Sequence, residues 1–338
     1  FNDISDHLVI ISCKGPGGRS SGSGFIARMD GKTYLFTNQH VIMGADKISF
    51  KTATGNVLRP RSVELSTTRD IARLLLAEED GLEVTRNLSM GVPIAVFGNS
   101  EGGGVATQLY GEITGVGADV VEVSAEFVKG NSGSPVLNLG KEVVGIASFV
   151  RYSRKKKDTE GTRFENQTRR FCYRLTDMEW TTVNWKQYNK RYGKLYRTNE
   201  EMTESIFEII EQWSSDPFGR VGDEDNAEMS LRRWSNAHNL MVNRIVRLSD
   251  KGRASQHELD NTNKQIRKDV SDSADALSKV CKKRARQMRM LADQRDLTGF
   301  LREEFEDYGD SLEFAGEIID RIGDKLSTLN YFRFSKEK

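Results

Sequence analysis

The chain has 338 residues, of which 37% are hydrophobic and 29% are charged, a balance typical of a globular protein. Its 50 Lys and Arg residues nearly cancel its 49 Asp and Glu residues, so the formal net charge is +1 and a dedicated nucleic-acid-binding protein is disfavoured. No stretch approaches the roughly 20 apolar residues that a membrane-spanning helix needs, so no membrane span is expected.

The composition differs between the two halves of the chain. Of the 30 glycines, 21 precede residue 151, as do four of the five prolines, whereas all four tryptophans follow it. A half rich in Gly and Pro followed by a half poor in both predicts a β domain and then an α-helical one. We place the β domain at residues 1–180 and the helical domain at residues 186–338.

The first half consists of short runs rich in branched residues, separated by turn signals. The runs cover residues 7–11, 34–37, 119–123 and 142–150, and their regular spacing predicts a sandwich or a barrel. Asp30-Gly31 predicts a two-residue hairpin, because both residues tolerate a positive φ. Residues 171–176 are expected to form the strand that closes the barrel. The polar segment 151–170, which contains Arg151, Arg154 and the lysines Lys155, Lys156 and Lys157, is expected to be an exposed loop.

Beyond about residue 186 the apolar residues recur with the 3.6-residue period of helices. Thr198-x-x-Glu201 predicts a capping box at the start of one helix, and Asp310-x-x-Glu313 the start of the last. Residues 259–291 follow a partial heptad pattern, which polar residues interrupt, and this favours a long packed helix over a free coiled coil.

Three polar segments carry residue types suited to nucleophilic catalysis. They are TNQHV at residues 37–41, RDIA at 69–72 and GNSGSPV at 130–136. A serine hydroxyl needs an imidazole to accept its proton and a carboxylate to orient that imidazole, which His40, Asp70 and Ser132 would supply. Asp46 and Asp119 are alternative carboxylates, and neither precedes an apolar strand in the same way.

These segments resemble those of the chymotrypsin-fold, trypsin-like serine proteases, closest to the bacterial HtrA-type catalytic domain. The matching motifs are GSGF at residues 22–25, TNQHV at 37–41, DIARL at 70–74, GNSGSP at 130–135 and VGIASF at 144–149. The resemblance covers about residues 5–176 and implies a chymotrypsin-like double β-barrel, followed here by a mainly α-helical region.

The resemblance also implies a role for each motif residue. Ser132 would be the nucleophile, His40 the general base, and Asp70 the carboxylate that orients it. The backbone amides of Gly130 and Ser132 would form the oxyanion hole. Asn131 stands where the digestive relatives have an Asp that pairs with a newly cut N-terminus, so activation by that ion pair is not expected.

Substrate contacts are expected at Ser148, Phe149, Val150 and Glu126. The backbone of residues 148–150 would pair with the substrate as an added strand. Glu126, six residues before Ser132, would favour Arg or Lys as the P1 residue, the one that precedes the cleaved bond. The branched side chain of Val150 would instead favour a small apolar P1 residue. The sequence leaves these two alternatives open.

The resulting interpretation is a serine endopeptidase that acts on proteins or peptides and uses no metal or cofactor. Cys13, Cys172 and Cys281 have no spacing typical of zinc ligands or of a disulfide framework, and are expected to be ordinary buried thiols. The resemblance favours a periplasmic or secreted location, with the cytoplasm as the alternative. The competing hypothesis is a catalytically silent, protease-like peptide-binding module whose helical domain mediates homo-oligomerisation or binds a protein partner.

Overall fold

The computed structural model describes residues 4–15, 18–77, 80–152, 162, 167–216, 218–222, 229–249 and 255–328. The chain divides into two compact units. The first comprises Phe1–Leu195 together with Thr298–Phe300, and the second comprises Tyr196–Leu297 together with Leu301–Lys338.

The first unit contains the β strands of the described residues. They are β1 (Leu8–Gly15), β2 (Gly18–Met29), β3 (Lys32–Thr37), β4 (Lys47–Thr52), β5 (Val57–Leu58), β6 (Val63–Ser66), β7 (Ala72–Leu75), β8 (Pro93–Gly98), β9 (Thr107–Val116), β10 (Val120–Val123), β11 (Pro135–Asn138), β12 (Val143–Tyr152), β13 (Thr168–Tyr173) and β14 (Trp180–Val183). One sheet has the order β14-β6-β7-β3-β2-β1-β4-β5, and the second is a closed barrel in the order β10-β13-β12-β11-β8-β9. The predicted order of a β-rich part followed by a helical part is confirmed.

The hairpin predicted at Asp30-Gly31 joins β2 to β3. Both turn residues have a positive φ, 53° at Asp30 and 72° at Gly31, as a two-residue turn between twisted antiparallel strands requires. Phe25 pairs with Phe36 across the two strands, and both side chains are fully buried. The turn therefore fixes the register that carries β3 into the segment containing His40.

Buried residues anchor the strand ends on which the candidate site is built. Ile71 and Ile146 belong to one apolar cluster together with Phe36, while Ala147 belongs to the cluster inside the closed barrel. All four of these side chains have no exposed surface. Burying an aliphatic or aromatic side chain of this size contributes about 1.5–3 kcal/mol to stability, so the strand ends are held rigidly.

The prediction of an exposed loop at residues 151–170 is wrong at both ends of that segment, which belong to strands. β12 continues through Tyr152 and β13 begins at Thr168, with Arg151 paired to Arg169. The strands tolerate these charges because the Arg151 guanidinium lies 5.4 Å from the Phe149 ring, while Arg169 donates two hydrogen bonds to Glu122. The basic residues at positions 154–157 lie outside the described part of the chain.

The closing strand predicted at residues 171–176 corresponds to β13, which lies between β10 and β12 in the closed barrel. β14, which pairs with β6 in the other sheet, was not predicted. Its four residues alternate too briefly to give a sequence signal.

The helices of the described residues are α1 (Gln39–Ile42), α2 (Trp185–Tyr188), α3 (Lys194–Ser215), α4 (Met229–Ser249), α5 (Gln256–Ala292) and α6 (Gly299–Ser327), with a π-helical turn, Asn189–Gly193, between α2 and α3. No helix within the described residues is long and apolar enough to cross a membrane.

Both predicted helix starts are wrong, since Thr198 lies inside α3 and Asp310 lies inside α6. The acidic residues that suggested a cap at Asp310 have another role, because Asp310 and Glu313 both accept hydrogen bonds from Arg289 of α5. Spacing alone does not distinguish such an interhelical ion pair from a capping box.

The partial heptad of residues 259–291 forms one continuous helix, α5, as predicted. Its residues Ile266 and Val270 pack with Met241 and Val242 of α4 and with Leu326 of α6. The prediction of a packed helix rather than a free coiled coil is confirmed.

A buried histidine lies in the aromatic core of the second unit. The His238 ring is 5.1 Å from the Trp234 ring and 5.4 Å from the Trp213 ring, and only 1% of the residue is exposed. Its ring nitrogens face the Ser273 hydroxyl at 3.3 Å and the Gly219 carbonyl at 3.4 Å. Burial lowers the pKa of His238 and outweighs the opposite effect of the Gly219 carbonyl.

We expect this histidine to make the second unit less stable in acid. Because its pKa is lower in the folded state, the unfolded chain binds the proton more readily, so the free energy of unfolding falls as the pH drops below the ordinary imidazole pKa of about 6.5. Denaturant unfolding from pH 7.5 to pH 5, followed by tryptophan fluorescence, measures this. His238→Gln should weaken the pH dependence, whereas His257→Gln, at an exposed position on α5, should not. An unchanged dependence in His238→Gln would contradict the prediction.

Candidate active site

His40 lies on the single turn of α1, directly after β3. Asn38, the residue before α1, is fully buried, and its side-chain amide donates to the Asp70 carbonyl at 2.7 Å and to the Ser148 hydroxyl at 3.1 Å. Asn38 therefore ties the His40 turn to the segment before β7 and to β12.

Asp70 holds both the backbone and the ring of His40. One carboxylate oxygen accepts from the His40 backbone amide at 3.0 Å, and the other lies 2.5 Å from His40 Nδ1. The Ser148 hydroxyl donates to the same second oxygen at 3.4 Å. A carboxylate at Nδ1 favours the tautomer that carries its proton there, so Nε2 becomes the basic atom of the ring.

The other two carboxylates considered from the sequence have different partners. Asp46 pairs with Lys194 at 2.8 Å, and Asp119 pairs with Arg69. Of the three, Asp70 is the one in contact with His40, and its side chain is only 6% exposed.

Ser132 lies in a tight turn whose backbone is fastened by Ser23. The Ser23 amide donates to the Ser132 carbonyl at 2.9 Å, and the Ser23 hydroxyl donates to the Gly130 carbonyl at 2.8 Å. The same hydroxyl accepts from the Asn99 amide at 2.8 Å. Ser23 is 1% exposed, and its role was not predicted, although it belongs to the GSGF motif.

Two glycines give the Ser132 turn its shape. Gly130 has φ = +96° and Gly133 has φ = +86°, a region that side chains strongly disfavour. A Cβ atom at Gly130 would lie 2.3 Å from the Asn99 carbonyl oxygen, and one at Gly133 would lie 2.0 Å from that of Ser23. Among the described residues, no acceptor is hydrogen-bonded to the amide of Gly130 or of Ser132.

Asn131 is fully buried and braces the same turn. Its backbone N–H donates to the Val128 carbonyl at 3.0 Å, and its side-chain oxygen accepts from the Val128 backbone N–H at 3.0 Å. The side-chain oxygen also accepts from the Ser100 hydroxyl at 3.2 Å. These are neutral hydrogen bonds, so the position is held without an ion pair.

The His40 and Ser132 turns are packed on a common glycine. A Cβ atom at Gly22 would lie 2.7 Å from the Val41 side chain and 3.4 Å from the Ser132 carbonyl oxygen. Gly22 therefore occupies the space between the residue after His40 and the backbone of Ser132, and a side chain there would push the two turns apart.

Within the described residues, the edge of β12 beside this site has no strand partner beyond Ala147, whose backbone is hydrogen-bonded to Gly133 and Ser134. β11 pairs with β12 as far as Ile146, whereas β13 pairs with β12 as far as Tyr152. Phe149 and Val150 thus pair with β13 on one side, with Ser148 at the irregularity before them, and an extended peptide could add on the other side.

The remaining predicted substrate residues have different surroundings. Phe149 stacks on Phe171 with ring centroids 5.1 Å apart, and Val150 packs against the barrel cluster that includes Phe127. Glu126 is exposed, and no contact within the described residues joins it to His40, Asp70 or Ser132.

Gln39 is a further buried residue that was not predicted to matter. Its amide nitrogen donates to the carbonyls of Ser66 at 3.1 Å and Arg69 at 2.9 Å, and its oxygen accepts from the Thr298 hydroxyl at 3.1 Å. All of these residues belong to the first unit. Through the Ser66 and Arg69 carbonyls, Gln39 therefore fixes the His40 turn against the segment that carries Asp70. Its bond with Thr298 adds a partner that is 259 residues away in the sequence.

The three cysteines are buried thiols that form no disulfide, as predicted. Burial raises the pKa of Cys281 to about 12 and also raises that of Cys172, so both stay protonated at neutral pH. In the described part of the chain, no group of three or more His, Cys, Asp or Glu side chains is arranged to hold a metal ion.

Comparison with known proteins shows which proteins the first half of the chain is similar to. Residues 22–146 match the family described as "Trypsin-like peptidase domain". A probable periplasmic serine endoprotease, DegP-like, from Halomonas elongata is 32% identical over 144 residues, which cover 39% of this chain and 30% of that protein. The serine protease Do-like HtrA of Bacillus subtilis is 27% identical over 164 residues, which cover 43% of this chain and 36% of that protein. The crystal structure of the serine endoprotease from Yersinia pestis aligns with 51% of this chain and 60% of its own chain, at a TM-score of 0.39 and 22% identity.

Residues 22–146 are therefore similar to a trypsin-like peptidase domain, in agreement with the resemblance of the motifs. More particularly, the relatives of this chain include bacterial serine endoproteases of the HtrA and DegP kind. The chain spans about a third of the length of the curated relatives that it matches, 30% in the case of the Halomonas protein.

Proposed function

We propose that this protein is a serine endopeptidase in which His40, Asp70 and Ser132 form the catalytic triad. The observation that carries the proposal is the contact of His40 Nδ1 with Asp70 at 2.5 Å, in a site that also contains the glycine-rich turn of Ser132. The sequence similarity to named serine endoproteases supports the same reaction class.

The proposed reaction has two halves. Ser132 Oγ attacks the carbonyl carbon of the peptide bond while its proton moves to His40 Nε2. The resulting tetrahedral intermediate collapses to an acyl-enzyme, and the leaving amine takes the proton from His40. Water then attacks the ester with His40 again acting as base, which releases the second product and restores the Ser132 hydroxyl.

The backbone amides of Gly130 and Ser132 would stabilise the oxyanion. Both amides lack an acceptor within the described part of the chain, and the positive φ of Gly130 sets the direction of the turn. Donors that are fixed in advance are effective because they need no reorganisation as the charge develops. The substrate backbone would pair with the open edge at residues 148–150.

We also propose that residues 1–180 act as the protease domain and residues 186–338 as an accessory or regulatory domain. The division of the chain into two compact units, the first of which includes Phe1–Leu195, supports this arrangement. The names of the relatives favour a periplasmic or secreted location, which fractionation of the native host tests. Sedimentation of the full chain tests whether it forms a homo-oligomer.

Hydrolysis of a disordered protein such as casein tests the proposed function. The wild-type chain should cleave internal peptide bonds, and Ser132→Ala, which removes one half-buried hydroxyl, should not. A folded wild-type protein that cleaves neither casein nor peptides, or a Ser132→Ala variant as active as wild type, would overturn the proposal.

A further inference from the structure

A partly buried arginine, Arg170, contacts the segment that connects β10 to Ser132. Arg170, on β13, pairs with Val150 of β12 on one side and with Val123 of β10 on the other. Its Nε donates to the Phe127 carbonyl at 2.9 Å, so the side chain reaches from the barrel wall to the segment between β10 and Ser132.

The charge of Arg170 is not balanced by a carboxylate among the described residues. The adjacent Arg169 donates to both oxygens of Glu122, but no Asp or Glu in the described part of the chain forms an ion pair with Arg170. A guanidinium has five N–H donors, and the bond to Phe127 uses one of them. The remaining donors have the planar fork geometry that binds a carboxylate through two parallel hydrogen bonds.

The position of Arg170 indicates which part of a bound peptide it would meet, namely the side chain of the P1 residue. A peptide paired with residues 148–150, with its carbonyl at Ser132, would carry its P1 side chain toward the segment 126–131. Arg170 is the strand partner of Val150 and binds the Phe127 carbonyl, so it adjoins both the paired strand and that segment.

We propose that Arg170 makes this site selective for an acidic P1 residue, Asp or Glu. The inference rests on the proposed function, because it assumes that Ser132 attacks the bound peptide. It differs from both alternatives that the sequence left open, the basic P1 residue through Glu126 and the small apolar one through Val150. Glu126 is exposed, whereas its neighbour Phe127 is buried and carries the carbonyl that Arg170 binds. A narrowing by Val150, as the sequence led us to expect, would still admit the short side chains of Asp and Glu.

Hydrolysis of peptides that differ only at P1 tests the proposal. The wild-type protein should cleave the Asp and Glu peptides with kcat/KM about 10- to 100-fold higher than the Asn and Gln peptides of the same shape, as expected for hydrogen bonds to a charged group. Peptides with Lys or Ala at P1 should have a still lower kcat/KM.

Variants of the two neighbouring arginines provide the matched comparison. Arg170→Gln should lose the preference for acid over amide, and Arg170→Lys, which keeps the charge, should retain part of it. Arg169→Gln removes an equal charge at the next residue and should keep the wild-type preference.

The test separates failure of this inference from failure of the proposed function. Labelling by a small fluorophosphonate, which carries no P1 side chain, reports an active Ser132 in each variant. A wild-type protein that is labelled but prefers Lys or Ala at P1, or an Arg170→Gln variant that keeps the acidic preference, would overturn the role of Arg170 alone. A folded wild-type protein that is neither labelled nor hydrolytic would overturn both proposals.

Discussion

Replacing Gly130 by alanine is expected to lower kcat/KM by about 10²–10³-fold, the usual cost of losing one oxyanion donor. The added Cβ would lie 2.3 Å from the Asn99 carbonyl oxygen and 2.8 Å from the Gly102 amide nitrogen, both of which are backbone atoms. The peptide plane must therefore rotate, and the Gly130 amide turns away from the position of the oxyanion. Steady-state peptide hydrolysis measures the effect.

Gly18→Ala is the matched control for this variant. Gly18 has φ = +100°, close to that of Gly130, but a Cβ there would meet nothing within 4 Å. The Gly18→Ala variant therefore has the same backbone strain of about 1–2 kcal/mol, but the Ser132 turn does not move. Equal kcat/KM values for the two variants, with both proteins folded by circular dichroism, would contradict the assignment of the oxyanion hole.

Replacing Asp70 by asparagine is expected to lower kcat by about 10⁴-fold, the size typical of this exchange in Ser-His-Asp enzymes. The asparagine oxygen can still accept from the His40 backbone amide, as one Asp70 oxygen does at 3.0 Å. Its NH₂ group would face Nδ1, where the other oxygen lies at 2.5 Å, and would favour the opposite tautomer. His40 Nε2 would then carry a proton and could not accept one from Ser132.

Asp46→Asn provides the control for charge, because Asp46 pairs with Lys194 and not with His40. It should leave kcat unchanged, and KM should stay similar in both variants because neither residue contacts the peptide. An Asp70→Asn variant that keeps a tenth or more of the wild-type kcat would contradict the orienting role of Asp70.

The parts of the candidate site that could be predicted from the sequence are those that lie in local motifs. Nucleophilic catalysis by a serine needs the residue types found in three short segments, those of His40, Asp70 and Ser132. The Asp30-Gly31 hairpin was predictable because both of its residues tolerate a positive φ. Side chains that act across the chain could not be found in this way. Ser23 binds the turn of Gly130, 107 residues away, and no periodic pattern encodes that distance.

The elements that were predicted wrongly also depend on contacts between residues that are distant in the sequence. The segment 151–170 is polar and was predicted to be a loop, yet pairing with β10 and β12 makes Arg170 part of the barrel wall. Thr198 and Asp310 have the spacing of helix caps but lie inside helices, because packing decides where α3 and α6 begin. Tertiary contacts outweigh local propensity at each of these positions.

Covalent labelling of Ser132 by a fluorophosphonate tests the central claim most directly. Intact mass and peptide mapping should show one adduct, located on the peptide that contains Ser132, and Ser132→Ala should show none. Ser134→Ala, which removes a fully buried hydroxyl two residues away, should be labelled as in the wild type. A folded wild-type protein without an adduct, or an adduct that persists in Ser132→Ala, would contradict the assignment of the nucleophile.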